Sequence, residues 1–269
     1  MKELQQVGRA ELAELRHAML RFYYSDGSYY ERAASSDKAR FYAEVVSATG
    51  LSHKKGAAVL ELGVGTPSFP AYCPARGIVI DYECQDVVPW TRNACRPVDL
   101  VPKEAFHHGD FLELRFGRRY ELVFSTFMWE HVVRPKRFAE KIQDLVSPGG
   151  YAVFINPKYD FPLYVNPAMR HFPFHKILAF KLKTSVAVLV GPGRPQFNMI
   201  GTPRCLVESY ERDYDGVHNV LERDLDLTFS GWRKIRLRPK LTSLRGRIFE
   251  RLILLAVAYR RPESISRCG

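Results

Sequence analysis

The sequence predicts an α/β fold built on a doubly wound, mostly parallel sheet. Three observations carry that expectation. Short, unbroken apolar runs recur through the middle of the chain, helically spaced segments fall among them, and the first run ends in the glycine-rich turn Gly63-Val64-Gly65. Apolar runs of this length suit strands covered on both faces, as in a parallel sheet. Strands alternating with helices give the doubly wound arrangement.

The elements follow in order. Leu4, Val7, Leu12, Leu15, Met19, Leu20 and Phe22 have roughly helical spacing over residues 3–24. A second helix is expected over 36–50, with Ser36 or Asp37 as N-cap and Gly50 as its stop. Strands are then expected at Ala57–Leu62, Gly77–Asp81, Ala105–His108, Tyr120–Ser125 and Tyr151–Ile155. Arg137–Val146 between the last two reads as a helix, ended by Ser147-Pro148-Gly149-Gly150. Residues 158–210, rich in proline and aromatics, interrupt the alternation. Asp213–Leu227 reads as a helix, and Trp232–Leu237 and Leu252–Tyr259 as two closing strands, seven in all. The chain is expected to form one domain over 1–269. It comprises a helical cap at 1–50, a core at 51–157, an insertion at 158–210 and a closing helix and strands at 211–269.

Composition narrows the functional classes. The 269 residues are 46% hydrophobic, enough for a sizeable core. Five widely spaced cysteines, Cys73, Cys84, Cys95, Cys205 and Cys268, include no C-x-x-C pair, which argues against a disulfide framework or zinc site. No signal-peptide pattern opens the sequence, and the longest strongly apolar run, Leu252–Tyr259, is far short of the ~20 residues that span a bilayer. A soluble, cytoplasmic protein without a transmembrane segment is expected. The net charge is +11, and Gly231 to the end holds eleven Lys and Arg against Glu250 and Glu263, a net of +9. Such a segment suits an anionic partner or is a solvated basic face; nucleic acid is not the expected partner.

The turn after the first strand discriminates among ligands. Glycines there let a backbone approach a ligand closely, because no Cβ intervenes. A phosphate-binding loop would need a G-K-[ST] ending, which is absent, and a dinucleotide fingerprint would need a third glycine where Ser68 stands. What remains is a turn with an acid, Glu61, two positions before the first glycine, and a carboxylate there suits an α-ammonium group. The alternative is a plain tight turn between strand and helix.

With these residues in view, Glu61-Leu-Gly63-Val-Gly65 resembles motif I of the class I S-adenosylmethionine (SAM)-dependent methyltransferases of small-molecule type. His108-Gly109-Asp110-Phe111 is similar to their acidic motif after strand three. Tyr120–Val132 is similar to their fourth strand and its turn, and Val146–Phe154 to the helix end and fifth strand. The likeness spans about 57–157 and, more loosely, 213–262, and it implies a Rossmann-like fold with SAM as methyl donor. It implies that Glu61, Gly63, Gly65 and Ser125 hold the donor, with Asp81 or its competitor Glu83 on the ribose hydroxyls. Asp110 would take the adenine amino group with Phe111 against the ring; otherwise Asp110 is a helix N-cap. The chain departs from the pattern at Pro67, where a small residue is usual, and at Glu121, where aspartate is commoner. Pro67, Pro70 and Pro74 crowd the place of the first crossover helix, which is expected to be short or displaced.

Glu130-His131 falls just beyond strand four, at the edge where open α/β sheets bind ligands. His131 is a candidate base, with Glu130 its rival; the other reading is a structural turn or a donor contact. Trp129, Phe161, Tyr164, Phe172 and Phe174 are candidates to wall an acceptor pocket, or an aromatic core under a long loop. His171 and His175 flank Pro173 and lack a third ligand, so no metal site is expected. The turn Ser125-Thr126-Phe127-Met128 lacks the Asn-Pro-Pro-[Tyr/Phe] pattern that signals planar amines, which favours a hydroxyl acceptor: a small molecule, a saccharide or a natural product, neutral or anionic. Two rivals are an inactive protein of this fold on a membrane, nucleic acid or protein partner, and a dinucleotide-dependent oxidoreductase.

Overall fold

The computed structural model describes residues 9–25, 38–65, 67–89, 101–161, 164–190, 193–200, 216–239 and 244–263. Its seven strands form one sheet in the order β3-β2-β1-β4-β5-β7-β6. They are β1 (Ala57–Leu62), β2 (Ile80–Asp86), β3 (Phe106–His108), β4 (Tyr120–Thr126), β5 (Val146–Pro157), β6 (Arg233–Arg236) and β7 (Leu254–Arg260). β1 to β5 pair in parallel, and β7 runs antiparallel between β5 and β6. The order reverses between β1 and β4, which makes their carboxyl ends the crevice where such sheets take ligands.

The helices cover both faces. α2 (Ala39–Thr49) buries Phe41, Tyr42 and Val45 against Val59, Leu122, Phe124 and Val153. α4 (Pro135–Leu145) buries Phe138, Ala139 and Ile142 on the other face, against Leu60, Val123 and Phe154. α1 (Arg9–Ser25) packs Leu15 and Met19 on Val217. Gly50 ends α2 in the left-handed region (φ 64°), its N–H turned back to the helix carbonyls, as expected of a stop glycine. The expected N-caps Ser36 and Asp37 lie outside the described residues. α2 is instead preceded by Lys38, whose side chain makes no cap bond.

The proline-crowded first crossover is short: α3 (Phe69–Tyr72) is one turn, followed by a 3₁₀ turn at Pro74–Arg76. Five expectations are corrected. The helix read over Arg137–Val146 ends at Leu145, and Val146 with the expected stop Ser147–Gly150 opens β5. The second strand was placed at Gly77–Asp81, but β2 begins at Ile80 and runs on to Asp86. Its last residues, Cys84, Gln85 and Asp86, are buried, but Gln85 and Asp86 are polar because they bond the Gly109 carbonyl and the Gly65 and Val88 amides, so the apolar signal stops before the strand does. The insertion contains a 17-residue helix, α5 (Phe174–Val190). The helix read over Asp213–Leu227 is confined to α6 (Glu222–Thr228), and 211–215 are not described. Ahead of it the chain is extended, because Val217 and His218 donate their amides to the Glu130 carbonyl and Asn219 donates to Asn198. Such long-range partners take the hydrogen bonds a helix would have used. α7 (Leu244–Leu252) precedes β7 and takes Leu252 from the expected last strand.

Candidate active site

β1 delivers its chain to the crevice through a turn in which Gly63 (φ 60°) and Gly65 (φ 55°) are both left-handed. A Cβ on Gly63 would stand 2.2 Å from Met128 Cγ, so Gly63 is needed both for its backbone and for the approach of the β4 turn. Gly65 faces open space. The Gly65 N–H donates to Asp86 Oδ2 (2.7 Å), and Val88 N–H to Asp86 Oδ1 (3.0 Å). Asp86, at the carboxyl end of β2, therefore holds the turn and was missed in the sequence.

Asp81 and Glu83 lie away from this turn. Asp81 pairs across from Ala58, near the start of β1, and its exposed carboxylate pairs with Arg118. Glu83 accepts from the Tyr120 hydroxyl (2.6 Å) and binds Arg118 (2.5 Å), which with His107 hold its carboxyl below the usual range against the opposing effect of burial. Neither reaches the ligand edge, because β2 extends three residues beyond Glu83.

Glu61 is fully buried on β1. Its Oε2 accepts from the Tyr82 hydroxyl (2.7 Å), and its Oε1 makes no direct hydrogen bond among the described residues, with Tyr42 close by. Burial pushes the carboxyl up to about 7, against the opposing pull of Lys38 and the two tyrosines. Ser125 of β4 lies opposite Leu62, buried, its hydroxyl likewise without a partner among the described residues. Such orphaned polar atoms at the switch point, beside a glycine turn open at Gly65, fit a donor that carries an ammonium group and hydroxyls.

Asp110 closes the turn after β3. Its Oδ1 accepts from Leu112 N–H (2.7 Å) and its Oδ2 binds Arg16 of α1 (2.5 Å). Phe111 is buried between Phe138 and Phe116, so its ring belongs to the core.

The turn after β4 carries the second half of the site. Phe127 adopts φ 54°, uncommon for a residue with a side chain, and its N–H donates to the Ile155 carbonyl (2.7 Å). A 3₁₀ turn, Trp129–His131, follows. Glu130 Oε2 accepts from the Tyr159 hydroxyl (2.8 Å), and Glu130 Oε1 is 3.7 Å from His131 Nε2. Beneath them His218 is wholly buried, packed edge-on to Trp129 and Phe197. Burial first, and His131 second, drive its imidazole down to about 3, so it is neutral at ordinary pH.

The expected acceptor wall divides. Trp129 is a core residue, its side chain fully buried against Phe138 and Phe154 and its backbone N–H donating to Asn156 Oδ1 (3.0 Å). Phe172 is buried with Met169, Phe180 and Ile200, and Phe174 is exposed at the start of α5. Tyr164 stacks flat on Tyr159 (5.3 Å between centroids), and the Phe161 carbonyl accepts from Lys181 (3.2 Å). The structure thus joins Glu61, Gly63, Gly65 and Ser125 at one crevice and links Tyr164 through Tyr159 to Glu130. It leaves Trp129, Phe172 and Phe174 elsewhere. Tyr159 and His218 had no motif to betray them: Tyr159 follows β5 in a segment legible only as a loop, and His218 lay inside a misread helix.

A family model described as a methyltransferase domain matches residues 31–183, more than half of the chain. No curated protein matches. Among solved structures, the chain is similar to a 1,6-didemethyltoxoflavin-N1-methyltransferase of Burkholderia thailandensis, at 14% identity and a TM-score of 0.53. That match covers 93% of this chain and 90% of that one. It also matches an S-adenosylmethionine-dependent methyltransferase of Mesorhizobium loti, at 20% identity and a TM-score of 0.49, covering 81% and 96%. At these identities the likeness is one of fold.

Proposed function

The chain belongs to the methyltransferase domain family and is a SAM-dependent methyltransferase, and on that premise we propose that it methylates a hydroxyl oxygen of a small molecule, a saccharide or a natural product. SAM supplies a methyl group on a sulfonium, already a strong electrophile. The protein's task is to align the acceptor and remove its proton. The observation that carries the reading is the Glu130 carboxylate between the Tyr159 hydroxyl (2.8 Å) and His131 Nε2 (3.7 Å), on a turn that touches the glycine turn through Met128.

On the donor side, Glu61 faces the α-ammonium group and the turn at Gly63 and Gly65 lets the backbone come close. Asp86 replaces Asp81 and Glu83 as the acceptor of the ribose hydroxyls. Asp110 stands near the adenine end, held by Arg16. On the acceptor side, His131 takes the hydroxyl proton and Glu130, held by Tyr159, steadies the imidazolium that forms. Tyr164 and Phe161 border the acceptor.

The test is transfer from methyl-labelled SAM to a panel of phenols, sugars and amines. Label in methyl ethers is expected; label confined to amines would overturn the choice of oxygen. With an accepted substrate, His131→Ala should lower the rate by about 10²–10⁴-fold while leaving donor affinity nearly intact. Equal losses of rate and donor binding would make His131 a donor contact.

A further inference from the structure

α5 is docked by one side only. Phe180, Lys181 and Thr184 face inward and are buried, and Lys181 Nζ donates to the carbonyls of Tyr159 (3.0 Å) and Phe161 (3.2 Å). The outward side carries Phe174, Leu178, Leu182, Val186 and Val190, each between 46% and 78% exposed. These positions are four apart, and each step of four advances roughly 40° around a helix, so the row covers about half the circumference. A row of large apolar side chains on a surface marks an interaction site.

The surrounding charge says what kind. Residues 161–207 contain no Asp or Glu and six cations: Arg170, Lys176, Lys181, Lys183, Arg194 and Arg204. At the chain's average of 29 acids in 269 residues, about five acids would be expected over that length. Of these cations, Arg170, Lys183 and Arg194 are exposed and Lys176 partly so. Apolar side chains flanked by lysine and arginine, without acids, fit a helix lying in the interface of an anionic bilayer. A second copy of a chain of net charge +11 would bring two acid-free strips together and repel. α5 is shorter than a span, and among the described residues no helix is long and apolar enough to cross a membrane, so the contact is a lateral one.

We propose that the outward face of α5, Phe174 to Val190, docks the protein reversibly onto an anionic lipid surface. Through Lys181 the same helix is fastened to the segment carrying Tyr159 and Phe161, beside Glu130, so docking would hold that side of the site near the lipid.

The full chain should co-sediment with vesicles of equal parts phosphatidylglycerol and phosphatidylcholine. It should bind little to phosphatidylcholine alone and release at high salt. Leu182→Glu with Val186→Glu should lower the partition at least about tenfold, since it removes apolar contacts and sets carboxylates against an anionic surface. Both positions are exposed, so the double variant should keep the wild-type circular dichroism and melting temperature. Lys176→Gln with Lys183→Gln should lower binding to anionic vesicles without touching the apolar row. Equal binding by wild type and the glutamate variant would overturn the proposal, as would equal binding to both vesicle types or no binding by wild type. Self-association abolished by the glutamate variant, without vesicle binding, would assign the face to a second copy and also overturn it.

Discussion

Burial holds the Glu61 carboxyl at about 7, and the sign of that shift has two consequences. A folded-state value above the ordinary carboxylate range means that the folded chain binds this proton more tightly than the unfolded chain. Without donor, this contribution to stability is full below the ordinary range and is lost as pH rises toward 7. Binding of an ammonium group needs the opposite form, the carboxylate. Donor affinity should therefore fall by up to about tenfold per unit below pH 7, as one proton must then be released. Calorimetry across pH 5.5–8.5 checks this, and Glu61→Gln should bind more weakly with that dependence gone. The acid at the end of β2 gives a second comparison. Asp86→Ala should cost roughly 1–3 kcal/mol of donor binding, the usual penalty for unpairing buried polar groups, whereas Asp81→Ala should cost little because that side chain is exposed at the far end of the strand. Equal losses would move the ribose site away from Asp86. The left-handed turn at Gly63 and Gly65 was legible because its geometry is local to a few residues. The bond from Gly65 N–H to Asp86 that holds the turn was not, because finding it requires knowing where a half-polar strand ends.

Elements were legible to the extent that burial was even along them. β1, β4 and the Tyr151–Ile155 stretch of β5 are covered on both faces and read as apolar runs, whereas the unevenly buried start of β5, Val146–Gly150, was read as a helix end and its stop. β2 and the extended segment before α6 were misread, since their pairing is decided by neighbours distant in sequence. The contact between the turns after β1 and β4 belongs to this scale and was invisible in the sequence. Gly63→Ala tests it. The new Cβ would stand 2.2 Å from Met128 Cγ at a φ of 60°, so either the β4 turn shifts or the glycine turn opens. Left-handed strain costs about 1–2 kcal/mol at a residue with a side chain, and the displaced Met128 adds to it. Donor binding and acceptor turnover should fall together. Pairing the substitution with Met128→Ala should restore part of both, because the clash is removed. No rescue by the second substitution would show that Gly63 matters for its backbone alone. The aromatic candidates illustrate the same limit: Trp129 and Phe172 were candidates for one acceptor wall but lie in two separate cores.

Across the whole molecule, the turns proposed to hold donor and acceptor lie together because the sheet reverses its order between β1 and β4, so a ligand bound there would tie together elements from both sides of the switch point. A ligand that binds only the folded chain raises its stability by mass action, about 2.7 kcal/mol at one hundred times its Kd. For a chain somewhat longer than 250 residues that corresponds to a rise in melting temperature of roughly 5–10 °C, at about 2–4 °C per kcal/mol. SAM and its demethylated product should both produce such a shift. NAD should produce none, because a third glycine is missing where Ser68 stands and the Ser68 hydroxyl is instead bonded to Tyr42 (2.8 Å). The shift should shrink in Asp86→Ala and should persist in His131→Ala, whose side chain is assigned to the acceptor. It should also persist in Leu182→Glu with Val186→Glu, whose changes lie on the outer face of α5. A thermal scan of these proteins with each ligand therefore separates the donor crevice, the acceptor turn and the outer helix face. A stabilising response to NAD, or loss of the SAM response in His131→Ala, would break the assignment of the two turns to donor and acceptor.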